Sequence, residues 1–549
     1  MKKIMTGTED FKKIIDNQYY YVDKSHLIED VLNNEVVLYT RPRRFGKTLN
    51  MSMLYYFFSN KEKENAYLFN NLNISSNKKL MKHQNQYPVI SITLKDMKKQ
   101  NIEDAYEHFN SIIKNIIVRH YELYSSTNIV DSMKEELKRL ENKKSSQNEL
   151  ENALLTISEC LYQHYGNKVI ILIDEYDVPL QSAYLNGYYN EMVNFLRNVF
   201  SSALKTNNAL EKGVMTGCLR IAKESIFTGL NNFSVRSIMD YEAGDCFGFT
   251  QNEIDELLSY YGVEDKRDEI KEWYDGYLFG NTEIYNPWST LNYVQKVLNH
   301  NDFSPVSFWA NTSGNDLVMN YITYSDQNMR TEFEELMNGK PIKKIIRHEL
   351  TYREMDDIDN VYSFLLLTGY LKINKKIGYD VYEVIIPNKE VYKIYESSFM
   401  KYFYDYTKKK ESTFIKALKE SDTEKATIIL NKILLKTISY FDNREDFYHG
   451  FLAGLLHEYI IASNEEKGDG RPDIILYPEM IQEPVIVIEC KHSSELKYLI
   501  SDSKKGAKQI IEKRYMEEIK AEGYLHVLGF GISFYKKQCY ITEAQNDEN

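Results

Sequence analysis

The chain has 549 residues, and no stretch of it approaches the roughly 18 uncharged apolar residues that a membrane span requires. An integral membrane protein is therefore not expected. The N-terminus opens on a lysine pair without an apolar segment behind it, so no secretory signal is read and the cytoplasm is the expected compartment. Cysteine is scarce. The five residues Cys160, Cys218, Cys246, Cys490 and Cys539 are scattered, with no CxxC pair and no metal-ligand spacing, which excludes a zinc ribbon and points to reduced, mostly buried thiols. Proline (10) and glycine (24) are sparse, so long flexible linkers are not expected, and no internal repeat or low-complexity tract is present. A positive charge excess is also missing. The formal net charge of −12 argues against adhesion to nucleic acid over the whole surface, though not against a local basic groove such as the run 504–514. The 45 tyrosines reflect coding bias more than chemistry.

What is present is an ordinary globular composition, 43% hydrophobic and 27% charged, over a length that calls for several domains. Short apolar runs at Glu35–Thr40, Tyr87–Leu94, Lys168–Asp174 and Gly213–Thr216 alternate with helical stretches, which predicts a parallel α/β sheet. The run KVIILID reads as a central strand buried on both faces. From Phe249 the pattern turns helical, and residues 300–395 mix helices with strands at Ser363–Ile373 and Tyr382–Ile386, a winged-helix-like connector. The last part reads as a helix (446–461), a glycine-rich turn, two strands, a long helix (502–521) and two final strands (525–534 and 538–542).

Two constellations carry chemistry. The first is Arg41-Pro42-Arg43-Arg44-Phe45-Gly46-Lys47-Thr48-Leu49, between a strand and a helix. A phosphate-binding loop, GxxxxGK[ST], cradles phosphates with backbone N–H groups, contacts them with its lysine and binds Mg²⁺ through its hydroxyl. Gly46, Lys47 and Thr48 match it, whereas Arg41 stands at the first glycine. Asp174, at the end of the buried strand, is placed to hold Mg²⁺ beside Thr48, and Glu175 to orient or deprotonate the attacking water. Thr216 ends the next strand, where a γ-phosphate would be sensed. Arg220 follows as a charge-stabilising arginine, in cis or across a subunit contact, or equally as one half of a local salt bridge. Arg43 and Arg44 lie near the phosphates or face solvent.

The second constellation is Pro472-Asp473, then Val485-Ile486-Val487-Ile488-Glu489-Cys490-Lys491. Strand alternation puts Val485, Val487, Glu489 and Lys491 on one face. A carboxylate and an ammonium at the end of so apolar a strand are costly without partners. Two carboxylates, Asp473 and Glu489, suit a hard oxygen-liganded cation such as Mg²⁺, and Lys491 would position water or stabilise the attacked phosphate. Gln509, on the following helix, would support the metal-bound water. Glu458 is a further candidate acid, whereas His449 and His457 read as packing or capping residues.

The segments FKKIIDNQYYYVDKS, RPRRFGKTL, ILIDEYDVP, TGCLRIAKESIFTGLNNF and WYDGYLFG together resemble the bacterial AAA-ATPase-like family, over roughly residues 4–290. SNEEKGDGRPDIIL and the Pro-Asp…Glu-x-Lys spacing resemble the PD-(D/E)xK nuclease superfamily domain to which that family is usually joined. In that family an arginine at the position of Arg41 is the usual form. The resemblance implies an α/β fold with these parts: a P-loop NTPase parallel sheet (1–245), a helical lid (246–300), a helical and winged-helix-like connector (301–440) and a C-terminal α/β restriction-endonuclease-like domain (441–549). It implies ATP with Mg²⁺ at Arg43, Arg44, Phe45, Gly46, Lys47, Thr48, Leu49, Asp174 and Thr216, and Mg²⁺ or Mn²⁺ at Asp473 and Glu489. Nucleic acid, DNA ahead of RNA, is the implied partner, and an arginine acting in trans would need a homo-oligomer. The rival expectation is a nucleotide-dependent switch whose nuclease-like domain only binds nucleic acid or a partner protein. A translocating motor ranks third, because no further helicase motifs accompany the loop and the acidic strand.

Overall fold

A computed structural model describes residues 1–220, 233–300, 303–309, 327–352, 354, 358–437, 448, 451–452, 455–456, 460–463, 467, 469–478 and 483–545. Two compact units divide the chain: Met1–Asp316 with Leu336–Ile394, and Leu317–Glu335 with Tyr395–Asn549.

The first unit is built on five parallel strands: β1 (Val36–Thr40), β2 (Val89–Thr93), β3 (Val169–Asp174), β4 (Leu210–Gly217) and β5 (Phe233–Arg236). Their order across the sheet is β2-β3-β4-β1-β5. Every residue of β1 and β3 is buried, as expected of strands covered by helices on both faces. The sequence places 87–94 between the loop strand and the acidic strand along the chain. In space the strand inserted between them is β4, and β2 lies outside β3. The strand β5 has no counterpart in the sequence reading. Its four residues are half-buried and too short for a periodic signal, and its pairing with β1 makes it a strand.

Beyond the sheet, the helix Gln251–Tyr261 starts where Thr250 and Glu253 form a reciprocal capping box and ends at Gly262. A two-stranded hairpin, β6 (Tyr277–Phe279) with β7 (Thr282–Ile284), interrupts this otherwise helical region before the helix Pro287–Asn299. Three antiparallel strands follow, β8 (Ile342–Ile345), β9 (Lys372–Lys376) and β10 (Val381–Ile385), in the order β8-β10-β9. The run Ser363–Ile373 is not one strand. The helix Ile358–Leu367 takes its first half, with Val361, Tyr362, Phe364, Leu365 and Leu366 all buried, and β9 begins only at Lys372. Short apolar runs do not distinguish a buried strand from a buried helix, and packing decided this one.

A buried carboxylate ties this region together. Glu390 is fully buried, and its Oε1 accepts hydrogen bonds from the Ser289 hydroxyl (2.8 Å) and the N–H groups of Phe308 (2.8 Å) and Trp309 (2.9 Å). Burial raises its pKa from 4.5 to about 7 against those hydrogen bonds. A carboxyl whose folded pKa is raised contributes stability below its unfolded value and loses it as pH climbs through the folded one. Glu390→Gln is therefore expected to stabilise the protein at pH 8, by on the order of 1–2 kcal/mol after the buried amide is charged for, and to give no gain at pH 5. Urea unfolding at the two pH values checks it; an equal shift at both would sink the assignment.

The second unit holds five strands, β11 (Ile460–Ser463), β12 (Ile474–Tyr477), β13 (Val485–His492), β14 (Val527–Tyr535) and β15 (Gln538–Glu543), paired in that order. All neighbours are antiparallel except β13 and β14. A parallel pair needs a crossover, supplied by the helices Leu499–Glu512 and Tyr515–Ala521. The single helix expected over 502–521 is thus two, broken where Arg514 adopts a left-handed φ of 55°. β11 was also unexpected. Its residues lie within and just after the span read as the helix 446–461, most of which falls outside the described residues. The two faces of the sheet carry separate cores. Ile486, Ile488 and Cys490 join Phe414, Leu418, Leu430 and Leu434 on one side; Val485 and Val487 join Ala507, Ile510, Tyr515 and Ile519 on the other.

Candidate active sites

In the first unit, β1 ends at Thr40, the loop runs from Arg41 to Gly46, and the helix Lys47–Phe58 begins directly behind it. Gly46 sits at the helix N-cap with φ of 85°, the left-handed turn that aims the following N–H groups into the loop. Lys47 is buried. Its Nζ donates to the carbonyls of Arg41 (3.0 Å) and Pro42 (2.9 Å) and lies 3.7 Å from the Cys218 sulfur. The Thr48 hydroxyl donates to Asp174 Oδ2 (2.8 Å), and the Thr216 hydroxyl donates to Asp174 Oδ1. The loop, the acidic strand and β4 thus converge on one carboxylate. Burial raises the Asp174 pKa, with Glu175 adding to the rise, while the hydroxyls of Thr216 and Thr48 and the charge of Lys47 oppose it. A cavity of about 380 Å³ opens beside the loop, lined by residues 43–50, Glu175, Phe249, Trp288 and Leu291 among others.

Arg41, standing where the general motif has glycine, does not line that cavity. It is fully buried and donates to the carbonyls of Thr40 (2.8 Å), Arg236 (2.6 Å) and Ala243 (2.8 Å), with its guanidinium over the rings of Phe247 and Phe279. Desolvation lowers its pKa to about 10, which leaves it charged at neutral pH. It pins the loop to the β5 side of the sheet. Phe45 is buried against Tyr277 and Phe279 beneath the loop. Arg43 donates to Gln181 (2.9 Å), and Arg44, in a left-handed conformation, lies 4.3 Å over the Trp288 ring. Arg220 pairs with Glu349 at 2.6 Å, the local salt bridge that was one of its two expected roles. Leu49 follows Thr48 on the helix and lines the same cavity.

Two residues were not singled out in the sequence. Asp177 is buried, and its Oδ2 accepts from the N–H groups of Cys218 (2.8 Å) and Leu219 (3.1 Å). Tyr176 donates its hydroxyl to the Leu219 carbonyl (2.6 Å). Together they clamp the turn after β3 onto the end of β4, which sets Thr216 opposite Asp174. Gly217 is required there, since a Cβ would lie 2.6 Å from the Tyr176 ring and 2.8 Å from Asp177 Oδ1. The available signal was a second acid, Asp177, two residues after the Asp174-Glu175 pair.

In the second unit, Glu489 and Lys491 do share a face of β13, with Lys491 Nζ 3.0 Å from Glu489 Oε1. Asp473 directly precedes β12, and its Oδ2 accepts from the Cys490 N–H (2.7 Å), which fixes the carboxylate against the neighbouring strand. Gln509 also donates to Glu489 Oε1 (2.5 Å). Glu489 is 3% exposed, and its Oε2 is buried with no hydrogen-bond partner among the described residues. Burial, and then the nearby Asp473 charge, push its pKa from 4.5 to about 7, with Lys491 pulling it down. A buried, unsatisfied carboxylate oxygen beside a second carboxylate is a donor set that a divalent cation completes. Glu458, His449 and His457 lie outside the described residues.

The first unit has the sheet and loop of a P-loop nucleotide-binding protein, and the second the mixed sheet of a nuclease-like α/β domain. Residues 5–227 match the family described as predicted AAA-ATPase, AAA-ATPase-like, and residues 443–544 match the PD-(D/E)XK nuclease superfamily. The chain therefore joins an AAA-ATPase-like domain to a PD-(D/E)XK superfamily domain. It is also similar to an uncharacterized protein in the vnfD 5′ region of Azotobacter chroococcum mcd 1, at 26% identity over 399 residues, covering 71% of this chain and 68% of that protein. Among the described residues no helix is long and apolar enough to cross a membrane.

Proposed function

We propose that the chain is a cytoplasmic bacterial ATPase joined to a metal-dependent nuclease that cleaves nucleic-acid phosphodiester bonds, DNA ahead of RNA, under nucleotide control. The observation that carries this reading is the convergence of Asp473, Lys491 and Gln509 on Glu489, whose second oxygen is buried without a partner. Glu390 also buries an oxygen without a partner, but Glu489 has a second carboxylate, Asp473, beside it, and that pair is what a divalent cation needs.

In the first unit, Lys47 exchanges the carbonyls of Arg41 and Pro42 for the β and γ phosphates of ATP. The Thr48 hydroxyl and Asp174 are the groups that would hold Mg²⁺, and Glu175 orients the attacking water. Arg43 and Arg44 flank the phosphates, and Thr216 reports the γ-phosphate to Asp174. Arg220 acts on the developing charge once it leaves Glu349, in cis or within a homo-oligomer. In the second unit, Asp473 and Glu489 would hold Mg²⁺ or Mn²⁺. Lys491 stabilises the negative charge on the oxygens of the pentacovalent phosphate as water attacks and the sugar oxygen departs, and Gln509 keeps Glu489 in place. A bound divalent ion supplies charge neutralisation at both sites and acidifies the attacking water at the second. Within this reading, residues 1–245, 246–300, 301–440 and 441–549 serve as ATPase domain, lid, connector and nuclease domain.

Purified full-length protein incubated with supercoiled plasmid, linear DNA, single-stranded DNA and RNA, in Mg²⁺ or Mn²⁺ with and without ATP, tests the reading. Asp473→Ala is expected to abolish cleavage. Lys47→Ala is expected to lower ATP turnover by roughly 10²-fold or more and to remove the response of cleavage to ATP. Unchanged cleavage and ATP response in the Lys47→Ala protein would refute nucleotide control. No cleavage by wild type under any condition would leave a nucleotide-dependent binding module.

A further inference from the structure

The three-stranded sheet of the first unit has a charge pattern unlike the rest of the chain. Across the fourteen residues of β8, β9 and β10 there are five lysines, Lys343, Lys344, Lys372, Lys375 and Lys376, and one acid, Glu383, in a protein of net charge −12. The register sets Lys343 and Lys375 on either side of Glu383 on one face, and Lys344 and Lys376 on either side of Tyr382 on the other, where the Lys344 ammonium lies 4.0 Å over the buried Tyr362 ring. Lys343, Lys375 and Lys376 are exposed, and among the described residues no carboxylate lies within ion-pair distance of them. The hairpin joining β9 to β10 carries Tyr379 at its tip, 92% exposed, with Ile377 (45%) beside it and Ile345 (55%) on β8.

Lysines on edge strands have a simpler use, since they discourage edge-to-edge pairing, and β8 and β9 are both edges. That use does not account for Tyr379, Ile377 and Ile345, because an edge guarded against association does not add exposed apolar side chains beside its charges. Nor is the other lysine-rich region equivalent. In the run 504–514, Lys505 pairs with Asp502 (2.8 Å), Lys508 with Glu512 (3.0 Å) and Arg514 with Glu517 (2.6 Å), so three of its five cations are paired on their own helices. A ligand that matches the sheet must be polyanionic along its length and must offer a flat apolar face to an aromatic ring. Nucleic acid has both, whereas an acidic peptide has only the first.

We propose that this lysine-bearing sheet and its Tyr379 hairpin form a nucleic-acid-binding surface. Lys343 and Lys375, exposed on one face, take backbone phosphates, and Tyr379 stacks on a base or a terminal base pair. The surface shares no residue with the Asp473–Glu489–Lys491 site and does not depend on that site being active.

The test is fluorescence anisotropy of the full-length chain in EDTA, with a labelled single-stranded oligonucleotide and a duplex of equal length. Lys343→Glu/Lys375→Glu is expected to weaken binding at least tenfold at about 50 mM salt and to make the slope of log K against log salt shallower by roughly 2. Tyr379→Ala is expected to weaken single-strand binding roughly fivefold or more. A similar loss on duplex would mean that ends or backbone are contacted as well. Lys78→Glu/Lys79→Glu, two exposed lysines outside this sheet, changes net charge by the same amount and controls for it. Wild-type affinity in both sheet variants, or an equal loss in Lys78→Glu/Lys79→Glu, would overturn the proposal. Asp473→Ala protein should keep this binding, so failure of the surface and failure of the nuclease reading remain distinguishable.

Discussion

Glu489→Gln is expected to abolish metal-dependent cleavage, by roughly 10³-fold or more, while making the metal-free protein more stable above pH 7. The two effects have one cause. Glu489 is buried, its Oε2 has no partner, and burial and Asp473 hold its pKa near 7. Because the folded pKa is raised, the stability linked to this group is present below its unfolded value and lost as pH rises through about 7. At pH 8 the metal-free wild type carries a penalty of about 3 kcal/mol for ionising it. Glutamine keeps an acceptor for Lys491 and Gln509 and removes the charge. It also buries an amide donor, which costs about 1–3 kcal/mol, so the expected net gain at pH 8 is on the order of 1 kcal/mol, with none at pH 5. Plasmid cleavage in Mg²⁺, paired with urea unfolding in EDTA at both pH values, measures both effects. Cleavage within tenfold of wild type would remove Glu489 from the machinery. A stability change independent of pH would show that its burial is not strained.

Gly531→Ala is expected to destabilise the second unit by roughly 3 kcal/mol or more and to remove cleavage with it. Gly531 pairs with Glu489 in the β13–β14 register. A Cβ at Gly531 would lie 2.1 Å from the Ser503 carbonyl oxygen, 2.2 Å from the Ala507 nitrogen and 2.8 Å from the Gly506 carbonyl carbon. All three are backbone atoms of the helix Leu499–Glu512, so no rotamer change relieves them. On that helix Gly506 faces the Glu489 carbonyl oxygen, 3.2 Å from its own Cβ position. The paired glycines bring helix and sheet into backbone contact, and that contact sets Gln509 against Glu489. Lifting the helix by even an ångström breaks the pairing. Chemical unfolding and the plasmid assay report it together. Gly523→Ala, where a Cβ meets nothing within 4 Å but φ is 107°, separates backbone strain from collision. A Gly531→Ala protein as stable as wild type would refute the close approach.

The parts legible in the sequence were those with a local cause. Unbroken apolar runs marked β1 and β3, because a strand covered on both faces has no polar side to show. Gly46-Lys47-Thr48 marked the loop, since only that order gives a left-handed turn, a phosphate-reaching lysine and a hydroxyl in succession. Strand alternation placed Glu489 and Lys491 together on the face of Val485 and Val487, and the hydrogen bond between them follows that spacing. The helical pattern from Phe249 marked the helix Gln251–Tyr261, while its capping box at Thr250 and Glu253 and its stop at Gly262 came from the structure. Where apolar residues ran without period, as in Ser363–Ile373, the sequence did not choose between helix and strand.

The sequence by itself determined the element types with strong periodicity, the two motifs, and the pairing of side chains close along one strand, because those depend on backbone geometry repeated over a few residues. Only the tertiary structure decided what depends on distant segments meeting. It inserted β4 between β1 and β3, so that Thr216 and Thr48 share Asp174 across 42 and 126 residues of chain. It buried Arg41 as a clamp, held Arg220 on Glu349, and used Asp177 to fasten β4 to the acidic turn. It pressed Gly506 onto Gly531 and so set Gln509 on Glu489. Each of these requires the chain to close a long loop before the contact exists, and a contact of that kind has no repeating backbone geometry from which a sequence pattern could announce it.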